Sequence, residues 1–277
     1  MRTITDAAAP RTVHLIGPRA SCALMLMVTS AQDARRPMSM IRRAGVLLFL
    51  LLIAAPATAM DDQATFWRVD GLFTRRISSA PDTQWKASAW TGGDRDKLRL
   101  QSSGILTDTG HIEGEGGTQG IDNRLFYSRL IAPFWDAKAG AQLSLFDGGQ
   151  TRAAFLAGVE GLAPYGIHLD VVAGISETGI ASLRLDADYD ILLSQKLIAQ
   201  PYAEAMLASG NDQAIGLGAG LSRFEVGLRL RYEIEKEFAP FVGVSFEQFT
   251  GNTASYAAAD GEAISRWRAL VGLKLWF

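Results

Sequence analysis

Apolar and polar residues alternate with a period of two along most of the chain after residue 60. Every second residue counted back from Phe277 to Trp267 is apolar. In "RFEVGLRLRYEIE" an apolar series from Phe224 to Ile234 alternates with a mostly polar series from Arg223 to Glu233. Successive side chains of a β-strand point to opposite faces, so each segment predicts a strand with one apolar and one polar face.

Twelve such segments are predicted. They are about 9 to 13 residues long, which suits a tilted membrane strand better than the roughly 5 or 6 residues usual in soluble sheets. A soluble sandwich would show the same alternation with its apolar face inward, but strand length and aromatics near segment ends favour a membrane. These aromatics are Trp135, Tyr189, Tyr232, Phe238, Phe241 and Trp276. The predicted strands begin at Phe66, Gln84, Asp96, Ile121, Phe134, Arg152, Gly166, Ile180, Leu197, Leu221, Phe238 and Ser265.

The connections between the predicted strands differ in length by parity. Those after even-numbered strands are short ("IAPFW", "LAPYG", "LSQK", "EKEFAP"), whereas most after odd-numbered strands are longer and rich in glycine, such as "GILTDTGHIEGEGGTQG". Bacterial barrels have an even number of strands, short periplasmic turns and longer outer loops. The pattern predicts an all-β chain that forms a transmembrane antiparallel outer-membrane β-barrel of about twelve strands in a Gram-negative bacterium, with both termini periplasmic.

The first 59 residues have the features of an export signal. A basic pair, Arg42 and Arg43, precedes an apolar run, and "ATA" at 57–59 ends the segment, which is the layout of a cleavable signal peptide. We expect residues 38–59 to be this signal, residues 1–37 to be an over-extended leader, and residues 60–277 to form the barrel. The only cysteine, Cys22, lies in the part that would be removed.

Composition and charge narrow the classes of partner. The formal net charge is −2 and lysine and arginine do not cluster, so no nucleic-acid footprint is visible. We expect a monomer whose main partner is outer-membrane lipid.

Several segments resemble a known family. "NRLFYSRLIAPFWDAKAGAQ", "GLAPYGIHLD", "ASLRLDADYDILLSQKLIAQPYAEA" and "GLSRFEVGLRLRYEIEKEFAPFVGV" are similar to the outer-membrane copper resistance protein B family, as are "DKLRLQSSG" and the terminal "VGLKLWF". The resemblance covers residues from about Asp96 to Phe277. It implies a barrel that contributes to copper resistance by binding copper or by assisting its export, with a periplasmic copper oxidase or another copper-handling protein as a partner.

The chain departs from this family in one respect. Its members often carry a segment rich in methionine and histidine ahead of the barrel, whereas here only "DDQAT" separates Met60 from the first strand. The expected mature chain keeps His111, His168, Met60 and Met206. Thioethers favour Cu(I) and imidazoles suit Cu(II), so we expect weak or transient copper binding and no high-capacity store.

The polar faces of the strands would line the lumen and carry charge. The predicted charge row includes residues of two strands. Arg184, Asp186, Asp188 and Asp190 lie on one strand, and Glu225, Arg229 and Arg231 lie on another. Such a row could attract cations and pass them along. It could equally be a carboxylate–arginine network that only satisfies buried charge, with Arg229, Arg231, Arg99 and Lys138 available as partners.

Four residues are candidate copper ligands. His168 and Asp170 share the polar face of predicted strand seven, and Glu204 and Met206 share that of strand nine. Because one strand lies between them, the two pairs would start roughly 10 Å apart. Joint coordination is therefore the less favoured reading.

Three other classes of function compare with a copper function: an enzyme, a passive channel and a structural barrel. The sequence has no G-x-S-x-G elbow and no clustered metal-ligand motif, so we expect no enzyme. The main alternative to a copper function is a passive channel for small polar solutes without metal preference. A third is a structural barrel that scaffolds a partner through its long loops.

Overall fold

The computed structural model describes residues 66–78, 81–107, 112–113, 120–146 and 151–277. The predicted leader, the signal peptide and His111 lie outside these residues. Twelve long strands carry the fold: β1 Phe66–Ile77, β2 Asp82–Gly92, β3 Asp96–Thr107, β4 Gly120–Ala132, β5 Trp135–Phe146, β6 Thr151–Ala163, β7 Ile167–Ser176, β8 Ala181–Tyr189, β9 Leu197–Ala208, β10 Gly220–Tyr232, β11 Phe238–Phe249 and β12 Ser265–Trp276. Two short strands, Ile112–Glu113 and Ile191–Leu192, pair with β3 and β9.

The strands close into one antiparallel barrel. Each long strand pairs with its neighbour in the chain, and β12 pairs with β1 from Asp70↔Trp276 to Ile77↔Ala269. At the end of this seam, Val69 and Phe277 exchange two backbone hydrogen bonds of 2.9 Å. The terminal apolar strand is therefore paired on both sides, which removes the open edge that would invite aggregation. The predicted twelve-stranded barrel is confirmed.

The alternation located the strands closely. Each long strand begins within two residues of its predicted start. The long connections 108–119, 209–219 and 250–264 lie at one end of the barrel, as predicted. However, three connections at that same end, 78–81, 147–150 and 177–180, have only four residues each, as brief as most turns opposite. We call the two ends the loop end and the short-turn end.

The connection after β11 contains a helix that the sequence did not suggest. Helix α1, Gly251–Ala259, is rich in alanine, the residue with the highest helix propensity. Thr253 on this helix is buried, and its hydroxyl accepts a 2.8 Å hydrogen bond from the Gly218 backbone N–H. This contact holds α1 against the connection between β9 and β10. No helix among the described residues is long and apolar enough to cross a membrane.

The two faces of the wall differ as the pattern predicted. Outward residues include the exposed apolar side chains of Val226, Leu228, Val244 and Val271. The inward face buries charged and polar side chains, among them Arg76, Asp122, Lys138, Arg223, Glu225, Glu247 and Arg268.

Two of the six aromatics predicted for the interfaces belong to the other face. Phe241 is 3% exposed and packs with Tyr202 and Leu270 inside the barrel. Gly272 makes this possible, because a Cβ there would lie 2.3 Å from the Phe241 ring. Trp276 pairs across the seam with the lumen residue Asp70. The prediction was wrong for these two because proximity to a strand end does not determine the face.

Candidate functional site

Seven carboxylates on the inner wall are direct cross-strand partners of one another. The pairs link β5 through β11 without interruption: Asp136↔Glu160, Glu160↔Asp170, Asp170↔Asp186, Asp186↔Glu204, Glu204↔Glu225 and Glu225↔Glu247. Directly opposite residues in antiparallel strands share one face. We call this row the carboxylate ladder.

The ladder climbs from one end of the barrel towards the other. Asp136 is the second residue of β5, which starts at the short-turn end, and Glu247 is close to the loop end of β11. With strands about 4.8 Å apart and tilted by about 40°, each step rises by about 3 Å. Six steps therefore rise about 18 Å, a large part of an apolar band about 25 Å tall.

Lysine and arginine side chains separate the charges of the ladder. Like charges directly opposite one another destabilise a sheet, so such a row requires cations between its members. Lys97 lies 2.7 Å from Asp136, Arg99 pairs with Glu160, and Lys86 lies 2.8 Å from Glu204. Six of the seven ladder carboxylates are ion-paired with a lysine or arginine, and Asp186 also takes part in an interaction.

A group of six buried charges fills the lumen near the loop end. We call Arg76, Asp82, Arg223, Glu225, Glu247 and Arg268 the loop-end cluster. Arg223 lies 2.9 Å from both Glu225 and Glu247, Arg268 lies 2.6 Å from Glu247, and Arg76 bonds Asp82. Each side chain is at most 4% exposed. These six side chains are almost completely removed from water, and the last two ladder carboxylates belong to the cluster.

The short-turn half of the lumen contains a cavity of about 700 Å³. We call it the short-turn cavity. His168 is 47% exposed and Asp190 is 40% exposed at its rim, so the cavity opens at this end. Its lining carries charges of both signs. The acidic residues are Asp70, Glu160, Asp170, Asp186, Asp188, Asp190 and Glu204, and the basic ones are Arg68, Lys86, Arg99, Arg124, Arg229 and Lys274.

Of the four predicted copper ligands, His168, Asp170 and Glu204 line the short-turn cavity, whereas Met206 does not. His168 lines the cavity with its Nδ1 3.5 Å from Asp188 and its Nε2 3.9 Å from Glu160. Asp170 and Glu204 are two strands apart on the ladder and are held by different lysines, Lys138 at 2.6 Å and Lys86 at 2.8 Å.

Met206 lies deeper than His168. It borders a small void with Arg184, Glu204 and Arg223. His168 is opposite Asp188 and Met206 is opposite Arg184, positions about 13 Å apart along β8. The structure therefore does not bring the thioether to the imidazole.

The predicted charge row along β8 divides among different partners. Asp186 belongs to the ladder, and Asp188 accepts a 3.0 Å hydrogen bond from Gln200. Asp190 pairs with Arg231 at 2.9 Å, and Arg184 lies 3.9 Å from Asp122. Glu225 lies in the loop-end cluster, whereas Arg229 has no carboxylate partner among the described residues. The continuous acidic row runs across the strands rather than along one of them.

Sequence reasoning missed several members of the lumen network. Asp136, Glu160, Glu247, Lys86 and Arg223 all lie on polar faces that the alternation could have identified. Their alignment needed the register between strands, which alternation within one strand does not contain.

The donor atoms that line the cavity suit weak metal binding better than a tight metal site. Within the ranges that the structure describes, no three His, Cys, Asp or Glu side chains are grouped so as to hold a metal ion. The donors at the cavity are an imidazole and carboxylates, whereas the thioether of Met206 lies apart. Nitrogen and oxygen donors suit Cu(II), and Cu(I) prefers sulfur, so the donors fit transient contact with Cu(II) as a cargo ion.

The closed barrel, the apolar outer face and the charged lumen define an outer-membrane β-barrel protein. A sequence profile described as "Copper resistance protein B precursor (CopB)" matches residues 63–277. The chain belongs to the copper resistance protein B family.

Relatives agree with this assignment. Over 194 residues the chain is 41% identical to the copper resistance protein B homolog of Pseudomonas syringae pv. tomato (strain ATCC BAA-871 / DC3000), covering 70% of this chain and 63% of that protein. Over 221 residues it is 35% identical to copper resistance protein B of Escherichia coli, covering 79% and 72%. Among solved structures, the NanC porin has a TM-score of 0.49 at 11% identity, covering 75% of this chain and 98% of that one. A shared fold does not determine function, so the function of this chain depends on the side chains in its lumen.

Proposed function

We propose that this barrel contributes to copper resistance by binding Cu(II) transiently in the short-turn cavity. Family membership supports the link to copper, since both relatives are named as copper resistance proteins. The observation that carries the mechanism is the placement of His168. Its imidazole lies at the open rim, with Asp188 and Glu160 on either side and the ladder directly behind.

The physical basis is attraction followed by weak exchange. Carboxylates in a low-dielectric lumen attract a divalent cation, and lysines already bound to them compete with it. An ion at His168 therefore meets oxygen donors that bind it without trapping it. Conduction or delivery through a pore requires this balance of entry and release.

The cavity opens towards the periplasm in this proposal. Short turns are the periplasmic side of bacterial barrels, and β1 begins and β12 ends at the short-turn end of this barrel. Copper would then be taken from the periplasm, and a periplasmic copper oxidase or another copper-handling protein would be a suitable partner.

Assisted export is the second candidate function. It is favoured by one observation, the continuation of the ladder from the cavity into the loop-end cluster. Export would require the cluster to rearrange, because its side chains fill the lumen. Binding in the cavity requires no such change.

The first test is growth of a clean deletion strain across rising copper, with zinc as the control metal and a plasmid copy to restore the gene. We expect selective copper sensitivity that the plasmid reverses. A plasmid with His168→Gln should restore less tolerance than the parent, and one with His168→Gln and Asp188→Asn less still. Arg129→Gln, an exposed outward position on β4, is the matched control and should restore tolerance fully.

Direct binding provides the second test. Electron paramagnetic resonance of Cu(II) added to the purified barrel should show nitrogen coupling that His168→Gln removes. Equal growth of deletion and parent strains, together with no specific Cu(II) signal, would contradict the proposal. Solute conductance without any copper effect would instead favour a passive channel.

A further inference from the structure

Arg229 is a buried cation without an ionic partner. Its side chain lines the short-turn cavity and the residue is only 8% exposed. Among the described residues, no carboxylate lies within ion-pair distance of its guanidinium, and its Nε is buried without a hydrogen-bond acceptor. Burying an unpaired charge is costly, so this arrangement calls for an explanation.

The fold builds the position of Arg229 from a glycine and an aromatic ring. Gly227 has no side chain, and a Cβ there would lie 2.4 Å from the ring of Tyr202 on the neighbouring strand. Tyr202 therefore lies flat against the wall, where its hydroxyl donates a 2.7 Å hydrogen bond to Glu225. The Arg229 guanidinium lies over this ring, 3.6 Å from the centroid.

Stacking satisfies the face of a guanidinium but not its edge. The N–H donors of arginine lie in the plane of the group, and they form a fork that matches the two oxygens of a carboxylate or phosphate. The ring of Tyr202 covers one face of the Arg229 guanidinium, and Arg229 is among the residues that line the cavity. Such a preorganised cation loses little freedom when an anion binds.

A second unpaired cation faces the same cavity. Lys274 on β12 is one of the lining residues, and its Nζ lies 5.9 Å above the ring centroid of Trp276. None of the described carboxylates lies within ion-pair distance of it. Arg229 is level with Leu270 on β12, through Gly243 on β11, so Lys274 lies four residues, about 13 Å, farther along β12 towards the short-turn end.

The other lysines and arginines of the cavity contrast with this pair. Lys86 contacts Glu204 at 2.8 Å, Arg68 contacts Asp70 at 2.8 Å, and Arg99 contacts Glu160. Arg124 donates to Gln142 at 2.9 Å. Arg229 and Lys274 are thus the two cavity cations that have no ion-pair partner among the described residues.

We propose that Arg229 binds a small oxyanion, a carboxylate or a phosphate, in the short-turn cavity. Arg229 binds two oxygens through its fork, and Lys274, nearer to the mouth of the same cavity, adds positive potential without contacting the anion. The cavity volume of about 700 Å³ is within the range of small-molecule sites. The site is independent of the copper proposal, because it uses neither His168 nor the ladder.

Calorimetric titration of the purified, folded full-length barrel with inorganic phosphate and, separately, with succinate tests this site. Binding of either anion with a Kd of about 1 mM or tighter is expected. Phosphate binding alone identifies a phosphate-type ligand, and succinate binding alone identifies a carboxylate. Arg229→Gln should weaken binding at least about tenfold and Lys274→Gln about threefold. Arg229→Lys should fall in between, because it keeps the charge but loses the fork.

The matched control removes a paired cation together with its carboxylate. Lys86→Gln combined with Glu204→Gln leaves the net charge of the cavity unchanged and should keep the parent affinity. A shift between boiled and unboiled samples on a denaturing gel verifies that each variant is folded, and Lys274→Gln and Arg229→Lys serve if Arg229→Gln is not. The proposal is overturned if the parent binds neither anion, or if the folded Arg229 and Lys274 variants bind like the parent.

Discussion

Glu160 on β6 and Asp170 on β7 are direct cross-strand partners, and the ammonium of Lys138 contacts both carboxylates, at 3.2 and 2.6 Å. Two like charges in this position would repel each other without the lysine. The same arrangement recurs deeper in the lumen, where Arg223 contacts both Glu225 and Glu247. A cation shared by neighbouring carboxylates therefore stabilises two of the six steps of the ladder.

Replacing Lys138 by glutamine should destabilise the barrel. The Lys138 side chain is 1% exposed, and its loss leaves Asp170 without its 2.6 Å partner and Glu160 with Arg99 and the more distant His168. Removing one partner of a buried ion pair typically costs about 3 to 5 kcal/mol. We expect a loss of this order in the free energy of unfolding, measured by urea titration of the barrel in detergent micelles.

The triple variant Lys138→Gln, Glu160→Gln, Asp170→Asn is the control for this prediction. It removes the carboxylates with the lysine, so no uncompensated charge remains and most of the stability should return. If the single variant is as stable as the parent, the lysine does not hold the ladder together.

The loop-end cluster should limit passage of ions. In planar bilayers we expect the parent barrel to conduct poorly, because the cluster fills the lumen with side chains that are at most 4% exposed. Arg223→Ala with Glu247→Ala removes a pair separated by 2.9 Å and should raise the conductance.

An ion pair outside the cluster provides the comparison for conductance. Arg266 and Glu262 lie 2.8 Å apart near the loop end, and their replacement by alanine should leave the conductance close to that of the parent. A parent barrel that conducts as freely as the double cluster variant would show that the cluster does not close the lumen.

The strands could be predicted from the sequence because each contains its own signal. Alternation in "RFEVGLRLRYEIE" identifies a strand and its two faces, and β10 is observed at Gly220–Tyr232. The turns between strands supply the order, since antiparallel neighbours joined by short connections pair with one another. Fold class, strand number and closure all follow from information within single segments and their connections.

The ladder and the oxyanion site could not be predicted in this way. Asp186 is opposite both Asp170 and Glu204 only in the observed register, and a shift of two residues would keep every face while changing every partner. Arg229 and Arg231 are equivalent by alternation. The structure distinguishes them, because Arg231 reaches Asp190 whereas Arg229 lies over Tyr202.

Gly227→Ala should disturb the packing beneath Arg229. The added Cβ would lie 2.4 Å from the Tyr202 ring, so either the ring or the strand has to move. Overpacking of this kind costs about 1 to 3 kcal/mol. Urea titration should show this loss, and a smaller residue at position 202, as in Tyr202→Leu, should reduce the effect of Gly227→Ala.

Gly93→Ala is the matched control, because a Cβ there meets nothing within 4 Å. Equal stability of both glycine variants would contradict the proposed packing.

A charge on the outer face should cost most at the centre of a strand. Val226 is near the middle of β10 and 45% exposed, whereas Tyr232 ends the same strand on the same face and is 48% exposed. Arginine costs about 2 to 4 kcal/mol at the midplane of a bilayer and about 0 to 1 kcal/mol near the interface. Reversible unfolding in lipid vesicles should therefore show a large loss for Val226→Arg and a small one for Tyr232→Arg. Because the two side chains are almost equally exposed, burial against protein cannot account for the difference. Equal losses at both positions would contradict the depth of β10 in the membrane, and a larger loss for Tyr232→Arg would indicate that the apolar band lies closer to the short-turn end.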